Sequence, residues 1–176
     1  MGIYAILETL RKRKTPVFTT AEIARAYGTT RASAAVYIKR MLDRGLIFRV
    51  AKGIYSLEND SILYASYVIQ NSYISFNSAL YLHGIIDQIP GKISVAVPKR
   101  VKKAVEGVEF VAMPKKAMFG FKKTEYKGYF IWLAEPEKAL ADIAYKYGKP
   151  NYDAGKIDEK KLAAYLERMS MRSKKG

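Results

Sequence analysis

The stretch GTTRASAAVYIKRMLDRGLIFRVAKGIYSL, residues 28–57, decides the fold of the N-terminal part of this 176-residue chain. Its first half carries apolar residues at the spacing of one helix face, and it ends at Gly45, which suits the left-handed position after a helix. Two short apolar runs, LIFRV and GIYSL, flank the tripeptide 51–53 and predict two strands joined by a turn. The buried face of the helix is expected to consist of Ala34, Tyr37, Ile38, Met41 and Leu42.

Two further helices are predicted before this stretch. Apolar residues at helical spacing within 3–10 indicate the first. The second begins after Thr19, which lies three residues before Glu22 and so forms a capping box. It ends at the glycine that opens the quoted stretch, and Thr29 or Thr30 is expected to cap the following helix. A helix, a tight turn, a second helix and a β-hairpin together predict a winged helix-turn-helix.

The helix in residues 28–45 is the second helix of the helix-turn-helix, and the face opposite its apolar stripe carries small and basic residues. The major groove of B-DNA admits one helix, and helix-turn-helix proteins insert the N-terminal end of the second helix. Arg31 is a candidate for two hydrogen bonds to guanine, and Ala32 and Val36 for contacts with thymine methyl groups. Lys39 and Arg40 are expected to hold phosphates, and the hairpin to reach the adjacent minor groove or the backbone. The predicted DNA-contacting set is Thr30, Arg31, Ala32, Ser33, Val36, Tyr37, Lys39, Arg40, Arg49 and Lys52.

The charge of the chain agrees with a polyanionic partner. Lysine and arginine total 31 against 16 aspartate and glutamate, a net charge of +15 with a pI near 9.8. Residues 1–57 hold 11 basic and 3 acidic side chains, so this first third carries +8 of the total. Such an excess of positive charge in a small protein favours nucleic acid as partner. A second basic cluster, PKRVKK, adds Lys99, Arg100, Lys102 and Lys103 as candidate auxiliary phosphate contacts.

Composition excludes several other classes of protein. The chain has no cysteine and one histidine, which rules out disulfides and cysteine-ligated zinc. No apolar run approaches the roughly 20 residues of a membrane span, and the N-terminus lacks the pattern of a signal peptide. We therefore expect a soluble cytoplasmic protein.

The remainder of the chain has a mixed pattern, and the polar stretch SLENDS suggests a boundary. We expect domains at 1–58, the winged helix-turn-helix, and at 59–176, a mixed α+β domain, which makes the fold class α+β. The helices predicted in the second domain cover ILYASYVIQN (62–71), SFNSALYLHG (75–84) after a capping Ser75, a segment that begins at Pro136, and 158–169. The strands predicted there cover 93–97, 108–112 and 129–133, with a hairpin turn at Lys127-Gly128. The last two helices are expected to bury Ala139, Leu140, Ile143, Ala144, Tyr147, Leu162, Tyr165, Leu166 and Met169.

Three segments behind the winged helix resemble a known family. They are YISFNSALYLHGIIDQIP (73–90), ISVAVPKR (93–100) and WLAEPEKALADIAY (132–145), and they follow a winged helix that ends in RVAKGIYSL. Together they resemble the AbiEi-type antitoxins over nearly the whole chain. The resemblance implies a repressor of its own toxin–antitoxin operon with antitoxin activity, whose partner gene encodes a nucleotidyltransferase-like toxin. It also implies that the C-terminal domain serves antitoxin action and aids DNA binding.

Two arrangements were weighed as catalytic or metal sites. His83, before Gly84, is best interpreted as a helix-end residue that caps carbonyls. Glu125 and Lys127, with Asp87 upstream, faintly resemble a metal-dependent nuclease, but Glu-x-Lys is common by chance in a lysine-rich chain. Glu135, Glu137 and Asp142 are interpreted as the negative first turns of a helix, partly neutralised by Lys138.

No nucleotide-binding motif is present in the sequence. We expect no catalytic residue, no metal site and no cofactor, and hence a protein that is not an enzyme.

The alternatives to a duplex-DNA regulator are an RNA-binding or protein-adaptor module and, less favoured, a nuclease. The 14 tyrosines would suit stacking on single strands, but most of them fall on apolar helix faces. On an inverted-repeat operator, the protein would bind as a homodimer or as two monomers side by side.

Overall fold

The computed structural model describes residues 2–170. Residue 1, at the start of the first predicted domain, and residues 171–176, at the end of the second, lie outside it. The helices are α1 Ile3–Lys12, α2 Thr20–Ala26, α3 Arg31–Asp43, α4 Ser61–Ala65, α5 Phe76–Leu82, α6 Pro136–Tyr147 and α7 Glu159–Ser170. The strands are β1 Val17–Thr19, β2 Phe48–Ala51, β3 Ile54–Ser56, β4 Tyr73–Ile74, β5 Ile93–Val97, β6 Val108–Ala112, β7 Phe121–Tyr126 and β8 Tyr129–Ala134. Short 3₁₀ turns lie at Lys115–Ala117 and Ala154–Lys156. The predicted α+β class is confirmed.

The N-terminal part has three helices and a small antiparallel sheet in the order β1-β3-β2. All four apolar residues of α1 at helical spacing, Ile3, Ile6, Leu7 and Leu10, are buried. They share one core with Ile23 of α2 and with the apolar face of α3. Strand β1, which the sequence did not predict, pairs with β3 and completes the wing sheet.

Side-chain caps fix where the helices begin. The Thr19 hydroxyl accepts from the backbone N–H of Glu22 at 3.2 Å, and the Glu22 carboxylate accepts from the N–H of Thr19 at 2.8 Å, so the predicted capping box is confirmed. Thr30, and not Thr29, caps α3 by accepting from the N–H of Ser33 at 3.1 Å. Gly28, at φ +57°, occupies the left-handed region that the turn between α2 and α3 requires.

The C-terminal part is built on a five-stranded mixed sheet in the order β6-β5-β4-β8-β7. Strand β4 pairs antiparallel with β5 and parallel with β8, while β5 and β6 run parallel. The hairpin β7–β8 turns at Lys127-Gly128 as predicted, and both residues have positive φ. Helices α5 and α6 pack on each other, and α6 also packs on α7.

Several predictions for this part were wrong in detail. The helix expected over 62–71 ends at Ala65, because the hydroxyls of Ser66 and Ser72 bind backbone groups and stabilise a series of turns. Ser75 lies at the N-cap of α5, but its side chain makes no capping bond. Tyr147 and Leu166, expected in the core, are 64% and 37% exposed. Each lies near the C-terminal end of its helix.

The two parts are in direct contact. Val17, Val50 and Ile54 of the wing sheet pack against the C-terminal core. The N–H of Phe130 donates to the carbonyl of Lys14 at 3.0 Å, which joins strand β8 to the turn after α1. The wing therefore rests on the C-terminal sheet, and the division of the chain near residue 58 stays a prediction. Within residues 2–170, no helix is long and apolar enough to span a membrane.

Candidate nucleic-acid interface

Helix α3 has a buried face and an exposed basic face. Ala34, Ile38 and Met41 are fully or almost fully buried against α1, α2 and the hairpin. The opposite face exposes Arg31, Ala32, Ser33, Ala35, Val36, Lys39 and Arg40. Val36 is 49% exposed, which leaves an apolar side chain in solvent among cations. This combination suits a surface that contacts both thymine methyl groups and phosphates.

The leading end of α3 is held firmly relative to α2. The N–H of Thr29 donates to the carbonyl of Ala24 at 3.0 Å, and the Thr30 cap sets the first turn of α3. The guanidinium of Arg13 lies 2.7 Å from the carboxylate of Glu22, which is also the capping-box residue of α2. Partial burial acts to raise the pKa of Glu22, but hydrogen bonds from Arg13 and Thr19 outweigh it and lower the pKa below its ordinary value. The turn is thus fixed by local bonds rather than by packing alone.

The wing offers two further cations. Arg49 on β2 is the cross-strand partner of Tyr55 on β3, and its guanidinium lies 5.8 Å from the centre of that ring. Lys52 is exposed at the hairpin turn. The cation–π contact restricts the Arg49 side chain, so an external anion would meet a guanidinium that is already ordered.

The cations of this face are not paired with carboxylates in the part of the chain that the structure describes. Within residues 2–170, Arg31, Lys39, Arg40, Arg49 and Lys52 form no ion pair with a carboxylate. A cation that lacks an internal partner keeps its full attraction for an external anion. The basic face of α3 and the wing therefore presents available positive charge.

Residues 4–57 match the family model of the AbiEi antitoxin transcriptional regulators. The match runs from α1 to the end of the wing, so the resemblance predicted from the sequence is confirmed over these residues. That family is described as transcriptional regulators and antitoxins. The match therefore supports DNA binding and transcription regulation in a toxin–antitoxin system. No curated protein matches the chain.

Two members of the predicted contact set, Tyr37 and Thr30, already have a role within the fold. Tyr37 is half buried and packs against the N-terminal core, so much of its ring serves packing. The hydroxyl of Thr30 accepts the capping bond and donates to the hydroxyl of Ser33 at 3.1 Å, so it is already engaged. The other predicted residues are exposed, and the DNA contact of each stays a prediction.

The predicted auxiliary cations lie outside the AbiEi-matched segment. Lys99, Arg100, Lys102 and Lys103 are exposed in the irregular connection between β5 and β6. None of them forms an ion pair within the described residues. They form a second basic surface on the C-terminal part.

The sequence did not predict a buried polar network beneath helix α6. The sequence pattern places Asp142 among the acidic residues of the first turns of the helix, but Asp142 is fully buried and accepts from the ammonium of Lys138, which is buried as well. The hydroxyls of Ser75 and Tyr73 donate to the same carboxylate at 2.7 and 3.1 Å. Desolvation raises the pKa of Asp142 and lowers that of Lys138. The signal available in the sequence was the four-residue spacing of a lysine and an aspartate in the run KALADIA, whose other residues are all apolar.

Two of the candidate catalytic residues, His83 and Lys127, have structural partners. His83 caps the end of α5, but its ring Nε2 lies 2.8 Å from the carbonyl of Ala134 on β8, so it bonds the sheet rather than its own helix. Lys127 lies in the hairpin turn and pairs with Asp60 at 2.7 Å. Among residues 2–170, no group of three histidine, aspartate or glutamate side chains is placed to hold a metal ion.

Proposed function

We propose that this chain is a DNA-binding transcriptional repressor of its own toxin–antitoxin operon, with antitoxin activity. Helix α3 enters the major groove of an inverted-repeat operator, and the wing contacts the adjacent minor groove or the backbone. The single observation that carries this proposal is the exposed face of α3. A helix with a fixed N-terminus presents unpaired cations, small residues and one apolar side chain on the side opposite its core.

The proposal divides the contacts into two kinds. Arg31, at the N-terminal end of α3, reads a guanine, whereas Lys39 and Arg40, a little more than two turns later, hold phosphates. Arg49 and Lys52 add wing contacts. Lys99, Arg100, Lys102 and Lys103 supply auxiliary phosphate contacts from the C-terminal part, which lengthens the footprint on the duplex.

The toxin side of the proposal rests on the family match together with the C-terminal segments that resemble the same family. The functional partner is a nucleotidyltransferase-like toxin, with or without direct contact. Two copies of the chain occupy the operator as a homodimer or as adjacent monomers, with half-sites about 34–36 Å apart if they are one helical turn apart. Co-expression with the toxin tests the antitoxin role, because the proposal requires that the chain restores growth. Undiminished toxicity at equal expression would exclude antitoxin activity.

The division of contacts is tested by comparing two substitutions on two duplexes. Arg31→Ala is expected to weaken binding to the operator by about ten- to a hundredfold while barely changing binding to a scrambled duplex. Lys39→Gln is expected to weaken both duplexes alike and to reduce the salt slope of log K by about one. Lys146→Gln is the matched control, because Lys146 is an exposed cation outside the proposed contact set. If Arg31→Ala weakens both duplexes equally, Arg31 does not read bases and this assignment fails.

A further inference from the structure

Two adjoining cavities form a groove on the C-terminal part, and none of their lining residues belongs to helix α3 or the wing. The larger has a volume of about 510 Å³ and lies between the turns at 66–72 and the side chains of Phe121 and Trp132. The smaller, of about 340 Å³, is lined by Pro98, Lys115 and Met118. Asn71 and Phe121 line both cavities, so the two adjoin. We call them together the aromatic groove.

The walls of this groove are two aromatic rings at nearly right angles. Phe121 and Trp132 are both half buried, and their ring centres are 5.9 Å apart with the planes at 80°. Phe121 is held in place because it stacks on the buried ring of Tyr73 at 4.3 Å. A flat ring that lies against one wall would meet the other wall with its edge, which is a favourable arrangement for aromatic groups.

The polar groups that line the groove, together with Lys123 beside it, suit an anion that carries a flat ring. The ammonium of Lys123, which is opposite Trp132 across the β7–β8 ladder, lies 5.4 Å from the centre of the Trp132 ring, and Lys115 lines the smaller cavity. Among the described residues, no carboxylate lines either cavity. The side-chain amides of Gln70 and Asn71 are exposed and make no hydrogen bond within residues 2–170, so their donors and acceptors are available to a ligand.

We propose that the aromatic groove binds an unpaired nucleobase together with its phosphate. The base stacks on Trp132 or Phe121, the amide of Asn71 bonds its edge, and Lys123 contacts the phosphate. Aromatic side chains beside a basic track are the general means of holding single-stranded nucleic acid, because every base has a face that stacks. The ligand is either a free nucleotide or one residue of a single strand. This site is distinct from the duplex-reading face of α3.

The single tryptophan of the chain makes the test direct, because emission from Trp132 reports the groove alone. The protein is titrated with an octauridylate, with uridine monophosphate and with a duplex that lacks the operator. Saturable quenching by the octamer alone supports a strand site, and equal quenching by the monophosphate supports a free-nucleotide site. If neither quenches the emission at millimolar concentration, or if the duplex quenches it as strongly, the proposal is overturned.

Substitutions locate the ligand in the groove. Lys123→Gln is expected to weaken quenching several-fold and to reduce its salt dependence, and Phe121→Leu to weaken it about tenfold or more. Asn71→Gly removes the amide while allowing the positive φ of that residue, so it tests the base-edge contact without backbone strain. Phe121→Leu also removes the stack on Tyr73, so Lys123→Gln and Asn71→Gly decide the result if that variant does not fold. Unchanged quenching in both would overturn the proposal.

Two controls separate this site from the operator face. Lys146→Gln, a surface cation away from the groove lining, should retain wild-type quenching. Arg31→Ala should weaken operator binding and retain quenching by the octamer, which would show that the two activities fail independently. If Arg31→Ala abolishes both, the single strand binds at helix α3 and the groove proposal is rejected.

Discussion

The buried pair Lys138–Asp142 predicts an unequal response to the loss of either partner. Both side chains are 0% exposed, and the carboxylate also accepts from Ser75 at 2.7 Å and from Tyr73 at 3.1 Å. The ammonium has few other polar neighbours. It lies 3.8 Å from the sulfur of Met169 and 4.9 Å from the ring centre of Phe119. The substitutions to compare are Asp142→Asn and Lys138→Met, which both conserve volume.

Asp142→Asn removes the negative charge and leaves a buried ammonium without its counter-ion. Breaking a buried ion pair in this way destabilises a protein by about 3–5 kcal/mol. Lys138→Met removes the cation but keeps the aliphatic stem, whose carbons lie close to Gly120. The remaining carboxyl keeps two hydroxyl donors and can take up a proton, so we expect a loss of about 1–3 kcal/mol near neutral pH.

The Lys138→Met variant should also depend on pH in a defined direction. Burial already raises the pKa of Asp142 above 3.8 in the wild type, and removal of the neighbouring cation raises it further. The folded state then binds more protons than the unfolded state, so the free energy of unfolding falls as pH rises from about the unfolded pKa through the folded one. Stability at pH 5 should therefore exceed stability at pH 8 in this variant, by a larger margin than in the wild type.

The assay is urea unfolding followed by Trp132 fluorescence, because Trp132 lies on β8 of the same sheet as Tyr73. Circular dichroism on the same samples shows whether the two parts unfold together. Asp142→Asn should lower the unfolding midpoint more than Lys138→Met at pH 5. If both variants stay within about 1 kcal/mol of the wild type, or if Lys138→Met is insensitive to pH, the account of this network is refuted.

Three further predictions concern the local devices of the fold. The pKa of Glu22 is lowered in the folded state, so its carboxylate stabilises the fold above about pH 4.5, and this stabilisation is lost as pH falls toward the folded pKa. Glu22→Gln should therefore reduce the loss of stability in acid, measured by unfolding at pH 3–6. An unchanged dependence of stability on pH would contradict this prediction. Thr30→Ala should destabilise the fold by about 1 kcal/mol through loss of the α3 cap, while Thr30→Ser should be nearly neutral in the same unfolding experiment. Gly120→Ala should destabilise the fold by about 2–4 kcal/mol and Gly28→Ala by about 1–2 kcal/mol. Both glycines have positive φ, but only the Cβ added at Gly120 meets carbons of Lys138, at 3.0–3.1 Å. Equal changes in Tm would show that this contact is irrelevant.

The winged helix was predictable because its signals are local. Thr19 and Glu22 are three residues apart, and the turn glycines adjoin the helices that they end. Strands β1 and β4 have three and two residues, too few to show a period. Strand β3 is equally short but lies beside a hairpin turn that marks it, whereas β1 and β4 exist through pairing with strands distant in sequence. The helix over 62–71 was overestimated because an apolar run does not reveal that serine hydroxyls will bind backbone groups instead of solvent.

The two polar features of the C-terminal part depended on long-range contacts. Asp142 is joined to Ser75 and Tyr73 across 67 and 69 residues of sequence, so its residue type and helical position alone indicated a surface charge. The aromatic groove likewise needs the β7–β8 register, which places Lys123 opposite Trp132, and the turns at 66–72 that close one side. By contrast, the exposure of the α3 basic face follows directly from helical periodicity, which is why it was predicted from sequence.

The central claim is that α3 reads a specific duplex sequence. Its most direct test is the affinity of the chain for the DNA upstream of its own gene and for a scrambled duplex of equal length, each at about 50 and about 200 mM salt. Both affinities should fall as salt rises, because phosphate contacts release counterions. The account predicts that the native sequence keeps an advantage of about a thousandfold or more at the higher salt. Convergence of the two affinities would contradict this account. It would show that the positive charge of this face binds polyanions without sequence specificity.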